Sequence, residues 1–447
     1  MKLAIAVQRY GADISGGAEL HARYIAERLS SHAEVRVLTT CARDYVTWRD
    51  EYPPGEDAVN GIPVERFRVA HQRDVRDFDR RSRRVFTRAH SLQQELNWLE
   101  SEGPASPGLI ARLRRTPGEF DYVLLFSVRY YQAYHGARAV PDRAVLVPTA
   151  ERDPALGLAM FQPIFRGVRA VMYNSFEERA LINAVSGNDR VPGVVVGVGS
   201  GIPEAIEPVR ARQKFGLTHP FVLYVGRIDA NKGCAELFDF FLRYVSASAA
   251  PLDLVLIGTP VLPIPAHPRI RHLGYVSDQD KFDTLAAAAV LVMPSYYESL
   301  SMVALEAWAL GRPVLANARC DVLLGQCVRS NAGLYYDNAS EFAGALDVLA
   351  GNQELSTALG ANGRNYFARH YSWPVIERKY LDMFARLTSE PPTAAMEPLP
   401  GWLSRRRPDL PPAADVVAEL PSGAWLAHEA VRESRVPGLP ISGGARA

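Results

Sequence analysis

Glu298 and Glu306 stand eight residues apart in ESLSMVALEAW (298–308), where every side chain from Leu300 to Trp308 is apolar except Ser301 and Glu306. A carboxylate carried into such a stretch needs a partner or a ligand, because an unpaired buried charge is costly. Were both residues helical, they would lie about 12 Å apart along the axis. That exceeds the roughly 5–9.5 Å between the two carboxyls of glycoside hydrolases, so a hydrolytic carboxylate pair is not expected. The pattern places Glu298 on a loop after the apolar run AVLVMPS (289–295), with Ser299 or Ser301 capping the helix that follows. Backbone N–H groups near Leu300, Ser301 and Met302 then form an anion site, with one carboxylate ahead of it and one behind. A ligand with a hydroxyl-bearing group on each side of a phosphate fits this order, and a nucleotide sugar is such a ligand. The alternative is that Glu306 snorkels to solvent or pairs with an arginine and Glu298 is solvated.

A second stretch, YVGRIDANKGCAELFDFF (224–241), reads as strand, loop and helix, with Arg227 and Lys232 on the loop. Cations at a helix N-terminus oppose its dipole by roughly 0.3–1 kcal/mol each. An anion held between them and the N–H groups reverses that sign, so the residues predict a diphosphate site rather than two surface charges. In the N-terminal half, RYGADISGGAELHARYIAERL sets Gly16 and Gly17 between a strand and a helix. This is not the GxGxxG fingerprint. It is read either as a tight turn or as a place where backbone approaches a phosphate or acceptor.

These loops need a scaffold, and the chain supplies short apolar runs alternating with helical patterns. Strands are expected in 2–8, 34–40, 121–127, 144–150, 170–175 and 193–198, then in 221–226, 252–258, 270–276, 289–295 and 312–318. Most are continuous apolar runs, as strands covered on both faces should be. Two such βα series imply two doubly wound parallel sheets. Between them, GSGIPEAIEPVRARQKFGL is rich in Gly and Pro and reads as a linker. Residues 71–119 break the rhythm with an arginine-heavy helical composition. They read as a solvated insertion with a Leu/Trp stripe packed down; the alternative is a basic rim for an anionic acceptor or a peripheral membrane contact. The last patterned helix is WPVIERKYLDMFARL (373–387). After Glu390 the chain turns Pro-rich, and most of 390–447 is expected to lack regular structure, with Trp402 and Trp425 as points of attachment.

Composition excludes several classes. Lys plus Arg is 50 against 49 for Asp plus Glu, so a net charge of +1 gives no pull toward nucleic acid. Cys41, Cys234, Cys320 and Cys327 form no zinc-like spacing and read as buried reduced thiols, and no metal site is expected. MKLAIAV is too short for a signal-peptide core, and no run reaches the roughly 20 apolar residues of a membrane span. A cytoplasmic protein is expected.

Together, GGAE (16–19), GRIDANKG (226–233), LGYV (273–276) and PSYYESLSMVALEAWALGRPVLA (294–316) make the chain resemble a retaining glycosyltransferase of GT-B fold, family 4 type. The likeness covers roughly residues 1–388, and its most specific part is Glu298 and Glu306 followed by GRPV. It implies two Rossmann-like domains facing a cleft: 1–200, completed by a crossover helix at 373–388, and a nucleotide-sugar domain at 201–372. It implies a nucleotide-sugar donor, GDP- or UDP-linked, and a small-molecule or glycan acceptor from natural-product or polysaccharide biosynthesis. Carried over by position, Glu298 binds donor-sugar hydroxyls and stabilises the oxocarbenium, while Glu306 holds the ribose. Arg227 and Lys232 grip the diphosphate with backbone at Leu300, Ser301 and Met302; backbone at Val276 reads the base; Gly16 and Gly17 close on the donor. No cofactor and no metal are implied.

One departure stands out. Related chains often carry a histidine after the strand matching VLVPTA, where this sequence continues ERDP and places Glu151. Glu151 is therefore expected to face acceptor and sugar, either as a base or as a hydrogen-bond acceptor, with His21 and His135 as other candidates. The rival readings are a sugar-nucleotide epimerase or hydrolase on the same fold, and a nucleotide-sugar binder without chemistry.

Overall fold

The computed structural model describes residues 1–14, 16–115, 118–248, 252–392, 395–400 and 413–419; Trp402 and Trp425 lie outside the described residues. The chain divides into two compact units, Met1–Val196 with Glu377–Ala447, and Gly197–Ile376.

The first unit is built on eight strands: β1 (Lys2–Ala6), β2 (Glu34–Thr40), β3 (Gly55–Val59), β4 (Ile62–Phe67), β5 (Tyr122–Phe126), β6 (Ala144–Val147), β7 (Ala170–Tyr173) and β8 (Gly193–Val195). Their order is β3-β4-β2-β1-β5-β6-β7-β8. Leu3 pairs in parallel with Val35 on one side and Tyr122 on the other, so the order reverses between β1 and β5. Strands β5 and β6 are buried throughout, as their continuous apolar runs require. The antiparallel hairpin β3–β4 was not among the expected strands. In β3 only Val59 is buried, whereas β4 alternates with solvent. The turn, Asn60-Gly61, takes φ of 51° and 79°, the left-handed pair that two-residue hairpins favour.

Residues 71–119 fold as three helices, Val75–Thr87, Leu92–Glu102 and Pro107–Arg115. Asp74 caps the first, and Ser91 with Gln94 forms a capping box on the second. Trp98 and Leu99 are fully buried, as the Leu/Trp stripe predicts. The same helix also buries Glu95 and Glu102, which a solvated insertion does not account for.

The second unit carries β9 (Phe221–Val225), β10 (Asp253–Ile257), β11 (Ile270–His272), β12 (Val290–Met293), β13 (Val314–Asn317) and β14 (Gly333–Tyr336). All pairings are parallel, in the order β11-β10-β9-β12-β13-β14, so the order reverses between β9 and β12. The stretch read as a linker, 199–217, contains the helix Pro208–Phe215. Its Pro and Gly are helix punctuation rather than linker composition: Pro208 opens the first turn and Gly216, at φ 60°, closes the last. Arg210 anchors the helix by donating from Nε to the buried carboxylate of Asp283, 2.5 Å away.

The helix Trp373–Ser389 contains the division between the units, which falls after Ile376. Within the first unit its Phe384 stacks on Tyr122 at 5.3 Å, and Arg169 donates to the carbonyl of Leu387 at 2.6 Å. The start of the Pro-rich tail is also fixed there. Arg138 donates to the carbonyl of Glu397 at 2.9 Å, and Met396 lies where a side chain at Gly167 would go.

Candidate functional site

Open α/β sheets bind ligands outside the carboxyl ends of strands flanking the point where strand order reverses. In the second unit those strands are β9 and β12. The loop 226–233 leaves β9 and the loop 294–301 leaves β12, so the two stretches singled out by residue type meet at that point. Gly233 allows the meeting: its φ is 73°, and a Cβ there would lie 2.0 Å from the carbonyl oxygen of Pro294. Asn317, ending β13, donates to the same oxygen at 3.1 Å. The Tyr224 hydroxyl donates to the carbonyl of Arg227 at 2.7 Å and shapes the first loop.

Both expected cations are on this loop, and each meets a carboxylate of the chain itself. Lys232 Nζ donates to Glu298 Oε1 at 2.7 Å, bridging the two loops. Arg227 bonds through Nε to Asp229, whose other oxygen accepts from the Lys232 backbone N–H at 2.8 Å. Asp229, unremarked in the sequence, thus sets the shape of the loop. The helix Cys234–Ala247 that follows has no side-chain cap among the described residues, leaving its positive end to other acceptors.

On the second loop Glu298 lies ahead of the helix Met302–Ala309. Ser301 caps it, accepting from the Ala304 N–H at 3.4 Å from a left-handed backbone at φ 69°. Leu300 is buried, and its carbonyl accepts from Gln326 Nε2 at 2.5 Å. Glu306 is 2% exposed. Its Oε1 accepts from Ser200 Oγ at 2.8 Å and from Lys281 Nζ at 3.0 Å, and its Oε2 has no partner among the described residues. The arginine partner weighed as an alternative is therefore a lysine and a serine, and they satisfy one oxygen of two. Lys281 comes from the helix Asp278–Ala287, capped by Ser277 immediately after Val276. Neither Lys281 nor Ser200 stands near Glu306 in sequence, so no local pattern announces them.

The remaining candidates, Gly16, Gly17 and Glu151, belong to the first unit. Gly16 precedes the helix Gly17–Leu29 with extended backbone, and a Cβ there would lie 2.2 Å from Glu19 Oε2. Glu19 is buried and held by Arg9 at 2.7 Å. Gly16 is thus required by a carboxylate of its own motif, whereas a Cβ at Gly17 meets nothing within 4 Å among the described residues.

Glu151 lies four residues past β6. Its loop is tied down by Glu178, which accepts from the backbone N–H of Ala150 at 2.6 Å and of Asn174 at 2.5 Å. Burial pushes the Glu178 carboxyl up to about 8 against those two donors. His21 is buried edge-on to Phe126, 5.1 Å between centroids, and burial holds it down to about 3. Burial likewise lowers His135 to about 4. No group of three or more His, Cys, Asp or Glu with metal-binding geometry is present among the described residues. No helix among them is long and apolar enough to cross a membrane.

Residues 219–352 match the family model described as Glycosyl transferases group 1. This is the part of the chain holding both loops of the β9–β12 site. Among curated proteins the chain is similar to the D-inositol 3-phosphate glycosyltransferase of Corynebacterium urealyticum. Identity is 24% over 335 residues, covering 69% of this chain and 75% of that protein. It is also similar to the alpha-maltose-1-phosphate synthase of Mycobacterium tuberculosis, with 26% identity over 186 residues, or 38% of this chain and 48% of that one. The chain spans about half the length of most of the curated relatives it matches. Among solved structures it resembles HepE of Anabaena in complex with UDP and glucose. The TM-score is 0.62 at 17% identity, over 86% of this chain and all of that one. This likeness shows the fold, the GT-B class with its two doubly wound, largely parallel sheets.

Proposed function

We propose that the protein is a retaining glycosyltransferase that moves a sugar from a GDP- or UDP-linked donor to a small-molecule or glycan acceptor. The observation that carries this reading is the arrangement at the carboxyl edge of β9 and β12. Two cations, an uncapped helix and the carboxylates Glu298 and Glu306 gather on two adjacent loops and the helices behind them, inside the segment that matches the glycosyl transferases.

In this reading Arg227 and Lys232 take the diphosphate and neutralise the charge that grows on it as it leaves. Backbone at Leu300, Ser301 and Met302 adds N–H groups to the same phosphates. The unpartnered Oε2 of Glu306 accepts from a ribose hydroxyl, which would satisfy the atom the protein leaves bare. Backbone at Val276 reads the base. Glu298 takes sugar hydroxyls and stabilises positive charge at the anomeric carbon. In the first unit, Glu151 serves the acceptor. The acceptor oxygen attacks the anomeric carbon on the face from which the diphosphate departs. The bond from that carbon to the phosphate oxygen breaks with its electron pair on the diphosphate, and the acceptor proton passes to a phosphate oxygen. No covalent glycosyl-enzyme is formed. The charge on the leaving group is met by Arg227, Lys232 and the helix N-terminus, so we propose that no metal takes part.

Thermal shift of the purified chain with UDP, GDP and dTDP, free and sugar-linked, tests the reading, followed by Lys232→Ala and Arg227→Ala. One nucleotide should raise the melting point, and each substitution should weaken it by about 1.5–3 kcal/mol. Unchanged affinity in both variants would remove the diphosphate assignment. Free sugar released without acceptor would make the chain a hydrolase, and tight binding with no turnover on any acceptor would make it a binder.

A further inference from the structure

Glu102 is the last residue of the helix Leu92–Glu102 in the arginine-heavy insertion, and it is 2% exposed. Its backbone carbonyl accepts from Trp48 Nε1 at 2.6 Å and from Arg73 Nη2 at 2.6 Å. Its carboxylate accepts from Arg73 Nη2 at 3.0 Å through Oε2 and from Arg129 Nε at 2.6 Å through Oε1. Arg129 continues to Asp153. Each of these partners sits on a different loop: Trp48 follows β2, Arg73 follows β4, Arg129 follows β5 and Asp153 follows β6. All four leave the carboxyl edge of the sheet, the edge where ligands bind.

The residues just past Glu102 repeat the pattern. The Gly103 carbonyl accepts from the Tyr131 N–H at 3.3 Å, the Ala105 carbonyl accepts from the Ala70 N–H at 2.8 Å, and Ser106 Oγ donates to the Arg68 carbonyl at 3.0 Å. Trp48 itself is held with φ at 59°, an uncommon backbone for a bulky side chain, under Arg73 at 4.6 Å from its ring. Between the loops after β2 and β4 lies a cavity of about 310 Å³ lined by Trp48, Arg49, Asp50, Val69, His71 and Gln72. Asp50 Oδ1 closes one wall by accepting from the Val69 N–H at 3.2 Å. A carboxylate buried between two guanidiniums adds little net stability, but its strict geometry fixes which groups meet.

We propose that Glu102 is a positioning residue for the acceptor: from the insertion it fixes the loops after β2, β4, β5 and β6, and with them a cavity that takes a hydroxyl-bearing acceptor group. The acceptor part rests on the transferase reading; the coupling of the loops does not.

Hydrogen exchange by mass spectrometry on the full chain, with UDP titration alongside, tests it in Glu102→Gln, Arg129→Met and Arg129→Lys. Glu102→Gln should raise exchange by at least about fivefold in the loops after β4, β5 and β6, which its carboxylate joins through Arg73, Arg129 and Asp153, and spare the loop after β2, which the Glu102 carbonyl holds. It should leave 226–233, 294–301 and UDP affinity unchanged. Arg129→Met should loosen 127–131 and 148–153 alone, and Arg129→Lys should restore them. In transfer assays Glu102→Gln and Arg129→Met should lower kcat at least about tenfold with donor KM unchanged, and Arg129→Lys should recover it. Exchange unchanged, or raised in one loop only, overturns the proposal. Should Glu102→Gln fail to fold, the Arg129 pair decides: no loosening of 148–153 in Arg129→Met, or no recovery in Arg129→Lys, overturns it. A wild-type chain that binds no nucleotide defeats the transferase reading, while the exchange pattern still decides whether Glu102 couples the loops.

Discussion

Replacing Glu298 by Gln separates the two tasks proposed for the β9–β12 site, because it should move them in opposite directions. Glu298 Oε1 lies 2.7 Å from Lys232 Nζ, and the side chains are 13% and 31% exposed. Two unit charges about 4 Å apart near a protein surface attract by about 4 kcal/mol before desolvation is counted. Exposed pairs retain only about 0.2–1 kcal/mol of such attraction, and this pair, mostly buried on the Glu298 side, should lie at the upper end. A diphosphate drawn to Lys232 therefore meets a competing counter-ion that also repels it. Gln keeps the size and one accepting oxygen but removes the charge. Free UDP should then bind tighter by about 1 kcal/mol, roughly fivefold.

Transfer should instead fall by at least about tenfold, or 1.4 kcal/mol, because the carboxylate that meets positive charge at the anomeric carbon is gone. Calorimetric titration with UDP, at low and at high salt, reads the first effect. The gain should shrink with salt, since the screening length falls from about 10 Å at 0.1 M to about 3 Å at 1 M. If Glu298→Gln binds UDP more weakly by about threefold or more, the carboxylate supports the nucleotide and the reasoning is refuted.

Three further outcomes follow from the same contacts. Glu306→Gln should weaken UDP and the full donor alike, by about 1.5–3 kcal/mol, and a loss confined to the sugar-linked form would contradict the ribose assignment. Glu151→Ala should cut transfer at least about tenfold while sparing UDP affinity, and full activity with the true acceptor would reduce Glu151 to a loop residue. Glu178, raised to about 8, binds a proton in the folded chain that the unfolded chain gives up near the ordinary glutamate range. Its contribution to stability is thus complete below that range and is lost as pH rises toward 8, at roughly 1.4 kcal/mol per pH unit at most. Urea unfolding at pH 5.5 and 7.5 should show this slope in the wild type and not in Glu178→Gln, and equal slopes would contradict the assignment.

Much of the frame was legible because buried parallel strands are written as continuous apolar runs. The run EVRVLTT coincides with β2 from Glu34 to Thr40. The hairpin β3–β4 escaped because β3 is exposed except at Val59 and β4 alternates with solvent, so neither is a continuous apolar run, although Asn60-Gly61 carried a local turn signal. The helix Pro208–Phe215 escaped because its boundary residues, Pro208 and Gly216, count toward linker composition when position is ignored. β14, GLYY, escaped because it is only partly buried and begins with Gly, so no continuous apolar run marks it.

The two candidate regions differ in how far sequence alone could reach, and the difference has a physical source. At β9 and β12 each group proposed to bind the donor lies on one βα loop or the helix behind it, so spacing along the chain translates into spacing in the site. The partners that complete it, Lys281 and Ser200 on Glu306, come from 25 and 106 residues away and leave no local mark. In the first unit the balance shifts further. Gly16 is visible in a Gly-Gly element and Glu151 as a departure from a pattern, but the groups that hold the loops together are contributed one per strand end and converge on Glu102 in an insertion. A diphosphate presents the same charge and geometry on any sugar, so compact loops with a fixed spacing suffice to hold it. An acceptor differs from one transferase to the next, and a face assembled from several strand ends can be reshaped by changing the element that ties them. On the reading proposed here, the insertion is that element, and Glu102 is the residue through which it acts.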